Sequence, residues 1–481
     1  MNNEERPNIL LIVADGMQGR VLRPGHECLT PHLDGLAGRG VRVDNAYTPL
    51  PTCSPARASL MTGLLPHNHG VLQVEHVVDD DQCVLRTDRP HWAQRLQAAG
   101  YRTGYFGKWH IERSHRPQDF GWQEHLLTGQ AEHRRLSERG MSATVELDPA
   151  LTRHHRGPEG YNETLHYGVT DAPPEERAVS LPTDAACAYL ETAPADEPWC
   201  CCASYYEPNE AMVVGREAFE RYDPASLELP ASLRDGHEGN PGLYRRQRRI
   251  FAGVSDDEWR LARACYYGRI SEIDDQVGRL LAALEKRADR ERTVVVFTAD
   301  HGKYVGGHGF EAHNFGAFEE IYNIPLVAAG PGLAAGAASQ ARVGLHDLCP
   351  TLLELAGAEA IDVPDSTSFA ELLRDPAVCE DRFGRGYAEY HGTRFPLAQR
   401  IAWDGAWKFV FNGFDFDELY NLEEDPDELR NLAAEPGQEA RVRRMMGQVW
   451  ERVRETGDRP LYNTHYYSMR FAALGPEAGT G

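Results

Sequence analysis

A chain of 481 residues exceeds what one hydrophobic core usually organises, and its 41% hydrophobic and 26% charged content is that of a globular enzyme rather than a disordered or fibrous protein. Fifty Lys and Arg against 73 Asp and Glu give a formal charge of −23, which excludes a broad basic face for nucleic acid or an anionic membrane and leaves any anionic small molecule to a local positive site. The ten cysteines are sparse, and Cys200, Cys201 and Cys202 are consecutive in an apolar run from which three disulfides cannot radiate. Reduced thiols, a polar start unlike a secretory leader and the lack of a run of about 20 apolar residues together predict a cytoplasmic protein.

Residues 9–14, 199–205, 294–299 and 325–329 are short continuous apolar runs, the pattern of parallel strands buried on both faces. Between the second and third lies the clearest helix, 256–288, where Trp259, Ala262, Tyr266, Ile270, Ile273, Val277, Leu280 and Leu284 recur at three- and four-residue spacing. The alternation predicts an α/β domain over 1–375, a mostly parallel central sheet sandwiched by helices. After residue 375 come short aromatic strands at 385–390, 401–412 and 419–422, separated by Asp/Gly turns. They predict a smaller C-terminal α+β domain, 376–481, with an antiparallel sheet. An amphipathic helix at 439–454 closes it, and a Tyr-rich, then Gly-rich tail follows, suited to contacts in a homo-oligomer.

In open parallel sheets ligands bind beyond the carboxyl ends of the strands, and two of the apolar runs end on carboxylates, Asp15 and Asp300. One such Asp is as readily a helix cap; two, with His301 adjoining, predict a metal site at one rim. The most specific segment is Pro51-Thr52-Cys53-Ser54-Pro55-Ala56-Arg57-Ala58-Ser59-Leu60-Met61-Thr62-Gly63. A lone cysteine is ordinarily a buried structural thiol. This one stands in a stretch that resembles the signature of the type I sulfatases of the alkaline phosphatase superfamily, in which C-x-P-x-R marks the cysteine that a formylglycine-generating enzyme oxidises. The resemblance implies a hydrated aldehyde at 53. One hydroxyl attacks sulfur or phosphorus, and the other, once deprotonated, expels the ester group by re-forming the aldehyde.

Three further blocks resemble the same family, and the likeness runs from about residue 7 to 435. Gly107-Lys108-Trp109-His110 is similar to its G-K-W-H element, and in an extended segment Lys108 and His110 point to one side. The resemblance implies that Arg57 and Lys108 hold the nucleophile and the anion, and that His110 orients the gem-diol or shuttles a proton. Thr298-Ala299-Asp300-His301-Gly302 with Phe318-Glu319-Glu320 is similar to the family's T-[AS]-D-[HN]-G and Y-E-E elements. It implies one divalent ion on Asp15, modified Cys53, Asp300 and His301. Calcium is the family's usual ion, and an imidazole ligand shifts the balance towards manganese. The stretch 417–428 is similar to a structural E-L-Y-D-L-x-x-D-P-x-E element.

Three positions depart from the family pattern. Gly16 stands where most members carry a second Asp, with Gln18 or a water as the replacement ligand. His313 takes the place of a substrate-facing Lys, and its charge is conditional. Asn209 takes the place of a substrate-facing His; it donates a hydrogen bond but cannot titrate. His67 and His69 belong to a structural pattern, and His76 is a pocket candidate. The expectation is a metal-dependent hydrolase of small-molecule sulfate esters acting through a covalent sulfo-enzyme intermediate, with His110 or His313 as proton donor to the alcohol. Phosphonate monoesters or phosphodiesters are the alternative substrates, and a non-catalytic anion-binding homologue is the third reading. Loops such as 112–156, which carry no readable code, set the alcohol portion.

Overall fold

The computed structural model describes residues 6–79, 81, 83–86, 88–89, 91–129, 145–157, 159–393, 395–462 and 467–478; the middle of the 112–156 loop and part of the C-terminal tail lie outside them. Among the described residues fifteen strands form three sheets. In chain order these are β1 (Asn8–Asp15), β2 (Val41–Tyr47), β3 (Arg102–Gly107), β4 (Glu124–Leu127), β5 (Arg153–His155), β6 (Thr164–Thr170), β7 (Trp199–Pro208), β8 (Met212–Gly215), β9 (Thr293–Ala299), β10 (Leu326–Ala329), β11 (Ala337–Gly344), β12 (Arg385–Tyr390), β13 (Gln399–Asp404), β14 (Trp407–Asn412) and β15 (Glu418–Asn421).

The main sheet has eight strands in the order β11-β2-β10-β9-β1-β7-β3-β4. Its heart, β9-β1-β7-β3-β4, is parallel throughout. Every residue of β1 and β9 is buried, which is why both read as unbroken apolar runs. The run at 325–329, expected to be parallel, is antiparallel to both β9 and β2. A strand covered on both faces is apolar whichever way it runs, so burial pattern carries no direction. Strands β2, β3, β4 and β11 carry polar residues and gave no such run.

Four helices position the site and cover the sheets: α1 (Cys53–Thr62), α2 (Leu181–Thr192), α3 (Asp256–Glu285) and α4 (Glu439–Thr456). The longest, α3, opens on a reciprocal cap in which Ser255 Oγ accepts from the Glu258 N–H and Glu258 Oε2 accepts from the Ser255 N–H at 2.8 Å. It packs beside α2 against the main sheet and ends three residues earlier than its sequence pattern. Tyr266, on its buried face, donates to Gly16 O and accepts from the Gln18 N–H, so the helix pins the chain just past β1.

Strands β12 to β15 form the expected antiparallel meander, split within 401–412 by a turn at Gly405. It is tied to the main sheet by Lys408, whose fully buried Nζ lies 3.0 Å from Glu319 Oε1 and 2.8 Å from Glu428 Oε1. That gives the 417–428 stretch its structural role. The amphipathic face of α4 covers the sheet's other side, and the tail returns across it, with Trp450 Nε1 donating to Leu474 O at 2.6 Å. No helix of the described residues is long and apolar enough to cross a membrane. All ten cysteines are unpaired, and Cys200, Cys201 and Cys202 are buried in β7.

His67 and His69 sit in the short helix after α1 and are structural in different ways. His69 Nδ1 accepts from the Val71 N–H, so its Nε2–H donates to Ser59 Oγ at 2.9 Å. His67 lies 2.6 Å from Glu389 Oε1 on β12; burial lowers its pKa, but Glu389 outweighs burial and raises it from 6.5 to about 9. A raised folded-state value contributes stability that is complete below pH 6.5 and lost as pH rises through about 9. Chemical denaturation of the wild type and His67→Gln should therefore show a stability difference that shrinks by roughly 2–3 kcal/mol over this window. A difference that stays constant with pH would contradict the ion pair.

Candidate active site

The order of the central strands brings four chain segments to one rim. Adjacent strands β3, β7, β1 and β9 all run to that edge, with Ala14 opposite Ala299 and Gly107 opposite Ser204. The residues at or just beyond their ends are Lys108, Asn209, Asp15 and Asp300, the last two side by side. Helix α1 starts at the same place with Cys53 as its first residue, and all ten of its residues are buried. Arg57, one turn further on, therefore lies on the same face as Cys53.

Arg57 ties the rim together. Its Nε donates to Asp300 Oδ2 at 2.8 Å, Nη2 to Asp15 Oδ2 at 2.9 Å, and Nη1 to Lys108 O at 3.0 Å and Ser204 Oγ at 2.7 Å. Burial works against its charge, but Asp300 and Asp15 overcome that and push its pKa further up. Lys108 Nζ donates to Asp15 Oδ2 and lies 4.6 Å above the Tyr206 ring. Burial opposes ionisation of Asp15 too, yet Lys108 and then Arg57 hold its carboxyl well below the usual range. Asp300 moves the other way, raised by burial and by the charge on Asp15.

The two carboxylates divide their oxygens. Each Oδ2 takes the cations; each Oδ1 faces the opposite way, towards His301 Nε2, at 3.8 Å from Asp15 and 3.6 Å from Asp300. His301 Nδ1 donates to Gly302 O at 2.8 Å, which leaves Nε2 as a bare acceptor 3.1 Å from Cys53 Sγ. Asp15, Cys53, Asp300 and His301 thus offer four donor atoms within 4.8 Å of one another, all buried. Two carboxylate oxygens and a histidine whose tautomer is fixed by its other nitrogen are a donor set that fits a divalent ion.

The three departing positions also converge here. His313 Nε2 is 3.6 Å from Cys53 Sγ, and its ring stacks on His301 at 3.9 Å. Asn209 Nδ2 is 3.9 Å from the same sulfur, while its buried Oδ1 has no hydrogen-bond partner. That oxygen lies 3.4 Å from the point where a side chain at Gly16 would begin, so Asn209 borders the space a second Asp would enter. Gly16 has φ +78°, a conformation that suits glycine. Gln18, expected as a replacement ligand, is not at the rim cluster: its amide donates to Lys303 O and its Oε1 accepts from Arg20.

His110 is placed differently from the extended-strand expectation. Strand β3 ends at Gly107 and His110 has φ 49°, so side-chain alternation does not continue through it. Its Nε2 lies 3.1 Å from His76 Nδ1 and 4.0 Å from Glu75, which gives His76 a partner at the pocket edge. Burial, and next Lys108, hold His110 far below its ordinary value; burial, His301 and Lys303 do the same for His313. The sequence reading missed Lys303, fully buried, with Nζ 3.0 Å from both Glu210 and Glu311 behind His313. It also missed Ser204 and Tyr206. Both lie near the end of β7, and extending the strand-end rule to that strand would have found them.

The likenesses to known proteins agree with this geometry. The described fold superposes on the phosphonate monoester hydrolase of Silicibacter pomeroyi with a TM-score of 0.77, covering 95% of this chain and 97% of that one at 24% identity. A protein solved with its substrate D-glucosamine-2-N,6-O-disulfate gives 0.75 over 94% of this chain and 99% of that one, at 20% identity. The fold is that of the alkaline phosphatase-like hydrolases. The sequence pattern of the family described as Sulfatase matches residues 7–358, and that of N-sulphoglucosamine sulphohydrolase, C-terminal, matches 306–456. The chain belongs to the sulfatase family and is a sulfuric ester hydrolase. Relatives include a choline-sulfatase of Rhizobium meliloti, 29% identical over 90% of this chain and 83% of that protein. An N-acetylglucosamine-6-O-sulfatase of Bacteroides thetaiotaomicron is 24% identical over 89% and 83%.

Arg57 is the keystone that can be tested without any substrate. Arg57→Met leaves two buried carboxylates facing Lys108 alone, and unfolding experiments should show a loss of about 3–5 kcal/mol. An unchanged unfolding midpoint would mean that the carboxylates do not depend on this guanidinium.

Proposed function

We propose that this protein hydrolyses small-molecule sulfate esters with residue 53 as nucleophile, after a formylglycine-generating enzyme has oxidised Cys53 to the aldehyde. The observation that carries the reading is the position of Cys53: first residue of α1, buried, with His301, His313, Asp15 and Asn209 all within 3.9 Å of its sulfur. As a thiol it is inert, because burial and then the Asp15 charge raise its pKa well above the ordinary value. A hydrated aldehyde at the same atom carries no charge to desolvate. One of its hydroxyl oxygens forms the bond to sulfur as the S–O bond to the alcohol breaks. The remaining hydroxyl gives up its proton and expels sulfate by closing the C=O bond, which regenerates the aldehyde.

Each neighbour then has a task. Lys108 and Arg57 supply fixed positive charge to the anion and to the oxygen on residue 53. Asn209 Nδ2 and His313 Nε2 face the substrate side. His313 is neutral in the ligand-free site, and an incoming sulfate places negative charge against it and raises its proton affinity, as a donor to a departing alkoxide requires. His110, paired with His76, is assigned to the hydroxyls of residue 53 rather than to the leaving group. Asp15, Asp300, His301 and residue 53 would hold one divalent ion, calcium or manganese, which when bound polarises the sulfate oxygens and stabilises an ionised oxygen at 53. The ten unpaired thiols support a reducing compartment, the cytoplasm, as its location.

Peptide mass spectrometry after co-expression with the modifying enzyme should find aldehyde in place of thiol at 53, and Cys53→Ala should lower kcat/KM for an aryl sulfate by about a thousandfold or more. A protein that turns over aryl sulfate with Cys53 intact as thiol would sink the nucleophile assignment. A preference of many orders for an aryl phosphonate in parallel assays would move the substrate to phosphorus esters. For His313→Ala, kcat/KM should fall by about 100-fold or more on an alkyl sulfate and far less on an aryl sulfate whose phenolate leaves unaided. Equal losses on both would remove His313 from the proton-donor role.

A further inference from the structure

A second cluster of ligand-type side chains uses no residue of the rim. It is built by the loop carrying Asp235 and His237 and by His308 in the Gly-rich turn after β9, and both histidines are fully buried. Asp235 Oδ2 lies 3.0 Å from His308 Nδ1 and 3.3 Å from His237 Nδ1. One far nitrogen is hydrogen-bonded, and the other only faces a carboxylate. His237 Nε2 is 2.9 Å from the carbonyl oxygen of His308, and His308 Nε2 is 3.7 Å from Glu320 Oε2.

The carbonyl contact fixes the hydrogen of His237, and an ion on His308 Nδ1 would displace the proton that Nδ1 shares with Asp235 Oδ2. A carbonyl oxygen only accepts, so His237 Nε2 carries the proton and Nδ1 presents a lone pair. That lone pair points at a carboxylate oxygen at 3.3 Å, an acceptor facing an acceptor, and Nδ1 has no hydrogen-bond partner although the ring is fully buried. A buried polar atom in that state calls for an occupant that bonds to both groups.

We propose that Asp235, His237 and His308 form a structural site for a transition-metal dication, zinc in the first instance, separate from the catalytic ion. The donors are two imidazole Nδ1 atoms and one carboxylate oxygen, the ligand types zinc takes. A tetrahedral ion bonded at about 2.0–2.1 Å sets its donors roughly 3.3–3.4 Å apart, close to the 3.0 and 3.3 Å separations here. Each ligating ring has its other nitrogen directed at an oxygen, the backbone carbonyl of His308 for one and the Glu320 carboxylate for the other, the arrangement that orients histidines on zinc. Asp235 is half-buried and its neighbour Gly236 exposed, which gives the ion an entry and leaves the fourth position to water. The ion would fasten the 235–237 loop to the turn that leads on to His313. The reading stands whether or not residue 53 works as proposed above.

The test uses full-length protein and Zn2+ alone. Crystals soaked in zinc and measured across the zinc absorption edge should show an anomalous peak between Asp235 Oδ2, His237 Nδ1 and His308 Nδ1, whatever happens at the catalytic cluster. In solution, His237→Phe, which keeps the ring stacking on Phe310, should bind one zinc equivalent fewer than the wild type after dialysis. Glu320→Gln should weaken that equivalent by about 10-fold. No peak at the three atoms in wild-type crystals would overturn the proposal, as would a folded His237→Phe protein that keeps the full zinc stoichiometry.

Discussion

The site depends on one buried guanidinium. Arg57 holds Asp15 and Asp300 by one oxygen each and takes two further acceptors from the ends of β3 and β7. Two carboxylates brought together at the end of adjacent strands repel each other and resist desolvation; neither ionises readily there without cations at hand. Because Arg57 and Lys108 occupy the Oδ2 side, both Oδ1 atoms turn towards His301, that of Asp300 also accepting the Gly16 and His301 N–H groups. The pairing thus decides which way the carboxylates point, and with that where a dication and an anionic substrate can meet.

The scaffold's contribution is strand order. Four adjacent strands deliver Lys108, Asn209, Asp15 and Asp300 to one edge from positions far apart in the chain, and α3 pins the loop after β1 through Tyr266. Loops could not hold such groups to the same tolerance. The departures from the family pattern, Gly16, Asn209 and His313, lie around residue 53 at the same rim. A neutral amide and a neutral imidazole in place of titratable or fixed cations leave Lys108 and Arg57 as the main positive charge there. Under the proposed function, affinity for the anion would then rest on groups that also hold the carboxylates.

How much of this could be read from sequence depended on how local each signal is. Apolar runs ending in Asp15 and Asp300 are local, and so is the Cys53-to-Arg57 spacing that becomes one turn of α1. The helix at 256–285 was legible for the same reason. Direction was not: β10 is as apolar as the mutually parallel strands β1 and β9, and only pairing distinguishes it. Nor were Lys303 and its partner Glu210, because nothing about an isolated Lys announces burial; their pairing needs the turn after β9 folded against the end of β7. His110 failed by one backbone angle, since alternation was carried past Gly107 into a residue with positive φ.

The same surroundings that disable a thiol suit the hydrate of an aldehyde. Cysteine chemistry requires a thiolate, and at residue 53 burial and two nearby carboxylates oppose that charge. A gem-diol, the form proposed for residue 53, would enter neutral and acquire its negative charge only as the reaction proceeds, next to Lys108 and Arg57, which are already paired and buried. Charge that develops beside preorganised cations costs little reorganisation, whereas charge that must exist beforehand carries the full desolvation penalty of a buried site. The imidazole of His301, 3.1 Å from the sulfur, does not offset burial and the two carboxylates, and the cluster suits an oxygen nucleophile better than a thiolate.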